Sequence, residues 1–406
     1  MNQRQVEVRT TVESGEEMTA GTLYFNGPSS TFRYSSDYVD SPESFDFAPS
    51  LPRSLSPFVF AGLGPFSDAA PDRWGRKLLE RNRKRRNLPE SEYLLGVNDV
   101  TRQGAVRFFA DGKALASNEG VPVLTDLSGL LNTADAVEEN REVDDTALRR
   151  LYRATGSLGG ARPKASVFDS NALWLAKFPK PDGDDWDVIG WEAVTLELAE
   201  QAGIDVPEHR VASIKDSNNQ QRTVLLTKRF DRGEGGQPEN LQRIPYISAM
   251  TALEAKDGEG GDWLDLVEFA RQVGVDTRQL WQRAMFGSAI GNLDDHLRNH
   301  GFLRSLKDWR LSPAFDLNPE PYQGETDDRH QLALFGDEHV DVAALTSDEA
   351  LDLFGISRQE ARDYAKTLGS VVKQAIPRAR LRHIDNRSVS VMESRFQHAQ
   401  QLLTEF

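Results

Sequence analysis

The chain has 406 residues, a net charge of -15 from 48 Lys+Arg against 63 Asp+Glu, and no cysteine. That length implies two or three domains at ~150 residues each. The composition excludes a chain disordered or collagen-like throughout, and the missing cysteines exclude disulfides and thiolate metal sites. A duplex-DNA binder must neutralise phosphates, so the acidic balance argues against strong nucleic-acid binding by the chain alone. No apolar run approaches the ~20 residues of a membrane span. The start, MNQRQVEVRTTVESGEEM, carries no apolar signal-peptide core, so the cytoplasm is the expected compartment.

Residues 1–60 read as β structure with turns. Val6, Val8 and Val12 alternate with polar residues, and AGTLYFNG (20–27) is a short strand closed by Asn26-Gly27, a hairpin signal. FRYSSDYV and a Pro-rich stretch from Pro42 to Pro57 follow. Residues 67–87 predict a helix capped at Ser67 or Asp68, with Trp74, Leu78 and Leu79 on one face. Its basic end, Arg81 to Arg86, reads either as a solvated terminus favoured by the helix dipole or as a patch for a partner or nucleic acid. The acidic stretch 132–145 predicts a surface connection. Residues 172–180 predict a strand, and 188–203 an amphipathic helix stopped by Gly203. A buried strand is expected at 223–232, and from about 245 onward the chain reads as mostly helical.

The chemistry concentrates in IGNLDDHLRNHGFL (290–303) and WRLSPAFDLNP (309–319). Asp294 and Asn299 stand five apart on a loop after a helix, the spacing of a protein-kinase catalytic loop. There the Asp receives the acceptor hydroxyl's proton and the Asn holds Mg²⁺. Asp316, between Phe315 and Leu317, supplies the metal-binding Asp that follows. Asp and Asn also favour plain turns. A metal-hydrolase reading of His296 and His300 lacks the Glu after the first His, because residue 297 is Leu. Lys177 on its strand suits a phosphate clamp, and the helix after it offers Glu192 as positioning partner, with Glu197 about a turn further on. Gly156, Gly159 and Gly160 form a Gly-rich turn just upstream, which fits neither a Walker A loop nor G-x-G-x-x-G.

With these motifs in order, the chain resembles the HipA family of bacterial serine/threonine kinases over nearly its whole length. TLYFNG and FRYSSDYV resemble that family's N-terminal β subdomain. PFSDAAPDRWGRKLL and LLGVNDVTRQGAVRF resemble its next helical segment. SLGGARPKASV resembles the phosphate loop, LAKFPK the nucleotide lysine, TKRFDR the hinge, and GNLDDHLRNHGFL with LSPAFDL the catalytic and metal loops.

The resemblance implies an α+β, protein-kinase-like fold of two lobes, with a β-rich N-terminal subdomain and an all-helical C-terminal lobe. The expected division is 1–145, an N-terminal β-rich and helical part; 146–240, the nucleotide lobe; and 241–406, the helical catalytic lobe. It implies ATP and Mg²⁺ as cofactors. Asp294 becomes the catalytic base with His296 beside it, and Asn299 and Asp316 the metal ligands. Ser157, Gly159, Gly160, Lys177, Glu192, Lys228, Phe230 and Asp231 become nucleotide-side residues, with Phe230 and Asp231 at hinge and ribose. Ser157 matches a serine whose autophosphorylation disables the kinase. Lys228 stands where the hinge often has Glu, PYISAM (245–250) lacks the polar acceptor-side motif of well-known members, and Asp295 replaces a Gly seen in some members. The resemblance further implies a toxin that phosphorylates a cellular protein and arrests growth. Its partner would be a helix-turn-helix antitoxin through which DNA is mainly contacted. A kinase-fold corepressor of that antitoxin is the alternative, and a small-molecule kinase a lesser one.

Overall fold

The computed structural model describes residues 5–405 apart from 13, 117–119, 158–159, 161, 182, 257, 306–307, 325 and 327. The chain divides into two compact units that interleave in sequence. The first takes Met1–Pro181, Ser213–Glu254 and Gly301–Arg310; the second takes Asp182–Ala212, Ala255–His300 and Leu311–Phe406.

The first unit opens with an antiparallel six-stranded sheet. Its order is Phe58–Ala61, Ser29–Tyr34, Glu17–Asn26, Gln5–Thr11, Arg107–Ala110, Lys113–Ala114. The Asn26-Gly27 hairpin forms as the sequence predicts, with Asn26 opposite Ser29. Alternation buries Val6, Val8, Leu23 and Phe32 on one face. The Pro-rich stretch covers that face with Phe45, Phe47, Ala48 and Leu51, all buried. Its backbone is satisfied from below: the Tyr34 hydroxyl donates to Leu51 O at 2.8 Å and the Tyr38 hydroxyl to Phe45 O at 3.0 Å.

Two expectations for this unit are corrected. The helix foreseen over 67–87 spans only Arg73–Arg83, with Asp72 as its cap. Pro71 holds Ala70 extended (φ -86°, ψ 156°), which stops a helix from running through from Ser67. Trp74, Leu78 and Leu79 do share the buried face. Its basic end is engaged locally: Arg81 donates to the Val137 and Arg141 carbonyls, and Arg85 pairs with Glu92. The acidic stretch 132–145 is a surface connection only in its second half: residues 139–145 are largely exposed between two helices, whereas 132–138 end a packed helix. Leu127–Glu138 is a helix in which Thr133, Ala134, Asp135, Ala136 and Val137 are buried, because small side chains there let helix Asp145–Ala154 approach.

The nucleotide-side strands follow. Lys164–Asp169, Ala172–Lys177 and Gln221–Lys228 pair antiparallel in that order, with Lys177 opposite both Lys164 and Leu225.

The second unit is mostly helical and includes a short parallel pair, Gly261–Asp262 with Leu332–Ala333. Helix Val188–Gln201 ends as predicted, with Gly203 at φ +81° just beyond it. It is not amphipathic, however. Val188 to Leu196 are all buried, because helices Arg358–Val372, Ala375–Leu381 and Asn386–Glu405 belong to the same packed body. Trp191 stacks on Phe396 at 5.3 Å and donates to Ser388 O at 3.3 Å. Helices Trp263–Gln272 and Arg278–Ile290 lead to the loop that carries Asp294 and Asn299. No helix among the described residues is long and apolar enough to cross a membrane.

Candidate active site

In the first unit, Lys177 closes strand Ala172–Lys177 and is buried. Its cross-strand neighbour Lys164 is buried too, 3.4 Å from Asp72, and its carbonyl accepts from Trp74 Nε1. Gly160 lies at φ +115°, a conformation that side-chain-bearing residues rarely adopt, with Lys164 Nζ 2.5 Å from where a Cβ would stand. Sequence reasoning missed Lys164, although it ends the quoted SLGGARPK motif. Ser157 is buried, and its Oγ accepts from the Gln103 backbone N–H at 2.8 Å. Gly159 lies outside the described residues.

Lys228 ends the strand Gln221–Lys228 and pairs with Glu234. Phe230 places its ring 6.0 Å from that of Tyr246. Asp231 does not present itself to a ribose. It is 2% exposed, and its oxygens are taken by Arg229, by Arg232 and by the Gly104 N–H at 2.8 Å. Burial alone would push its pKa up, but Arg229 and Arg232 outweigh that and hold it well below the usual carboxylate range. Two buried guanidiniums require this carboxylate, which makes it a structural anion. Through it and Arg232, residues 101–104 are gripped: Arg229 Nη1 donates to Thr101 O and Arg232 Nη1 to Gly104 O.

In the second unit, helix Arg278–Ile290 stops at Gly291 (φ +67°), where a Cβ would lie 2.3 Å from the Arg395 guanidinium. The chain turns there into the loop that carries Asp294 and Asn299. Neighbouring carboxylates then part company. Asp295 is buried, with Oδ1 2.9 Å from His300 Nε2, and His300 packs edge-on against Trp263. Asp294 is exposed and accepts at Oδ1 from Gln331 Nε2 at 2.5 Å. Loss of water around it, with Asp316 and Asp295 nearby, raises its pKa, and His296 partly offsets this. Asn299 sits on the same loop in the one-turn helix Leu297–Asn299 and donates to the Asp294 carbonyl at 3.3 Å. His296 Nδ1 is buried without a hydrogen-bond partner among the described residues.

Asp316 adopts φ +60°, the left-handed region that costs most residues energy and that Asp and Asn tolerate best. Asn318 donates to its Oδ1 at 3.1 Å, and Asn292 accepts from the Asn318 N–H at 3.0 Å. Asn292 follows the helix that leads to Asp294, so the Asp316 loop and the Asp294 loop are tied together. Arg283, buried beneath, donates to Ser312 O; burial lowers its pKa to about 10 against the pull of Asp205 and Asp295. Gln331, Asn292 and Arg283 were invisible in the sequence, since each acts on a partner distant along the chain; Asn318, two residues from Asp316, was missed although it lies within the LSPAFDLNP segment. Glu192 is 1% exposed on its helix, whereas Glu197 is taken by Arg378 and Arg382.

Among the described residues no group of three or more His, Asp or Glu is placed to hold a metal ion by itself. The His296/His300 hydrolase reading fails more directly, because His300 is buried and its Nε2 is occupied by Asp295. The donors that remain, Asn299 and Asp316, are hard oxygens, which fit Mg²⁺ carried in with phosphates. Asn318 Oδ1, beside Asp316, is buried without a partner among the described residues, as a site completed by a ligand or its water would leave it.

The HipA-like C-terminal domain matches residues 156–376 and the HipA N-terminal domain residues 14–108. A putative kinase of Haemophilus influenzae is 24% identical over 183 residues, 41% of this chain and 53% of that protein. Toxin YjjJ of Escherichia coli (strain K12) is 26% identical over 183 residues, 41% of this chain and 38% of that protein. The matches thus span about half or less of those relatives' length. Among solved structures, HipA of Shewanella oneidensis MR-1, in complex with HipB and its operator DNA, is similar with a TM-score of 0.68 and 15% identity. That likeness covers 99% of this chain and 97% of the other, so the α+β fold is shared end to end. The C-terminal match alone takes in more than half of the 406 residues and carries the Gly-rich loop, Lys177, Asp294, Asn299 and Asp316: the chain belongs to the HipA family.

Proposed function

We propose that the chain is an ATP- and Mg²⁺-dependent protein serine/threonine kinase. The observation that carries this reading is the sorting of the catalytic loop. Asp294 alone of the adjacent pair is exposed, oriented by Gln331, with Asn299 on the same loop and Asp316 tied to it through Asn318 and Asn292.

The chemistry follows from these groups. Asp294 orients the acceptor hydroxyl and takes its proton as the hydroxyl oxygen bonds to the γ-phosphorus. The bond from that phosphorus to the β–γ bridging oxygen breaks, and ADP leaves with the electron pair. Asn299 and Asp316 would hold Mg²⁺, which neutralises phosphate charge when bound. Lys177 engages the α/β-phosphates, and Lys164 and Gly160 shape the loop over them. Phe230 and the backbone near Lys228 take the adenine side.

Ser157 is the proposed autophosphorylation site. Its buried Oγ is engaged by Gln103, so modification requires the loop to open, and the added charge of about -1.5 to -2 would hold it open. By family, the chain would act as a growth-arresting toxin neutralised by a DNA-binding antitoxin partner. Incubation with labelled Mg·ATP and cell lysate, followed by mapping of labelled proteins, tests the reading. Transfer to Ser or Thr that vanishes in Asp294→Asn is expected, and label unaffected by that change would overturn it.

A further inference from the structure

The hairpin that follows the metal loop carries an anomaly. Leu334 and Asp337 exchange both backbone hydrogen bonds, at 2.9 and 3.1 Å, around the two-residue turn Phe335-Gly336. Both turn residues have positive φ, +54° and +81°. Such turns favour Asn, Asp or Gly at the first position, because a Cβ is strained there. A bulky aromatic is among the poorest choices, yet Phe335 occupies it and its side chain stays exposed. The fold enforces the strain. Both Asp262 carboxylate oxygens are used, Oδ1 accepting from Phe335 N at 3.2 Å and Oδ2 from Gly336 N at 2.7 Å. The parallel pairing of Gly261–Asp262 with Leu332–Ala333 fixes the strand leading into the turn.

That same strand is joined to the catalytic base. Gln331 precedes it, donates through Nε2 to Asp294 Oδ1 at 2.5 Å, and its backbone N–H donates to Leu293 O at 3.0 Å. Three residues therefore separate the side chain that orients Asp294 from an aromatic held out in a strained turn. Asp337 and Glu338 beside it are exposed, and Arg329, the cation nearby, is paired to Glu338 at 3.8 Å. An apolar ring with an acidic border, continuous with the base, is complementary to a peptide carrying a large apolar residue and a cation.

We propose that residues 331–338 form the acceptor platform of the kinase reading, on which this inference rests. Phe335 selects Ser/Thr protein segments with a large apolar residue flanked by Lys or Arg, and Gln331 is a positioning residue for Asp294. Strain at Phe335 then has a use: the residue is kept for recognition at the expense of stability.

An oriented Ser/Thr peptide library phosphorylated with labelled Mg·ATP tests this. Wild type is expected to select an apolar residue and a Lys or Arg at fixed offsets from the acceptor. Phe335→Asn, which suits the turn better, should leave Tm equal or higher and the KM for ATP unchanged. It should erase the apolar preference and raise the KM of the best peptide by ~10-fold or more. Gln331→Ala should lower kcat with little change in peptide KM or Mg·ATP affinity, a split that lost packing would not produce. Unchanged selection and KM in Phe335→Asn would overturn the proposal, as would a library left unlabelled by a chain that binds Mg·ATP and labels itself, in which case the kinase reading survives. A chain that binds no Mg·ATP overturns both.

Discussion

Asp295 Oδ1 lies 2.9 Å from His300 Nε2 in the interior of the helical unit, and that pairing decides which of two adjacent carboxylates is free to do chemistry. Asp294→Asn is expected to lower phosphoryl transfer by ~10²–10⁴ with folding and Mg·ATP binding nearly intact, since an amide cannot take the hydroxyl proton. Asp295→Asn should do the reverse in kind. It weakens a buried hydrogen bond, costs about 1–3 kcal/mol, and lowers Tm before it touches the chemical step. Single-turnover phosphorylation and thermal melts on both variants separate these roles; an Asp294→Asn enzyme with more than half of normal activity would sink the assignment.

Asp316 combines a charge with a left-handed backbone, so its substitutions divide. Asp316→Asn keeps a residue that tolerates φ +60° and should fold normally while losing most Mg²⁺-dependent ATP affinity. Asp316→Ala should lose the same affinity and in addition lower Tm. Asn299→Ala should weaken Mg·ATP binding less than either, because it removes a neutral ligand. Calorimetry with Mg·ATP, beside melting curves, checks the order; full affinity in all three would count against the kinase reading.

Ser157 is expected to carry phosphate after long incubation with Mg·ATP, by mass spectrometry, and none in Asp294→Asn. Because its Oγ holds the Gln103 N–H, phosphorylation or Ser157→Ala should speed hydrogen exchange at that amide. Ser157→Asp should bind ATP weakly, by competition for the same N–H groups and Lys177. An unmodified Ser157 in active enzyme would remove the autoregulatory role alone.

Asp231→Asn should destabilise the first unit at neutral pH by about 3–5 kcal/mol, since it leaves Arg229 and Arg232 buried without a counter-charge. Because the folded-state pKa is depressed, the carboxylate's contribution is full above its unfolded value near ~3.9 and fades as pH falls below it. The stability gap between wild type and Asp231→Asn, from urea melts, should therefore be constant from pH 5 to 7 and narrow below pH ~4. A gap that widens on acidification would contradict the ion-pair account.

What the sequence by itself determined was local: the Asn26-Gly27 hairpin, the Gly203 helix stop, and the order of Gly-rich loop, Lys177, catalytic loop and Asp316. Turn preference, capping and ligand spacing act over a few residues, so they survive in one dimension. Tertiary structure decided what depends on partners far along the chain. Helix Val188–Gln201 lost its amphipathic character because neighbours cover it nearly all round, and the acidic stretch split, with 132–138 ending a packed helix and 139–145 left largely exposed. Asp231 went to Arg229, Arg232 and the Gly104 amide, 127 residues upstream, and Gln331 reached Asp294 across 37 residues. A carboxylate's role follows from whether water or a buried cation faces it, and that is settled only when distant segments pack.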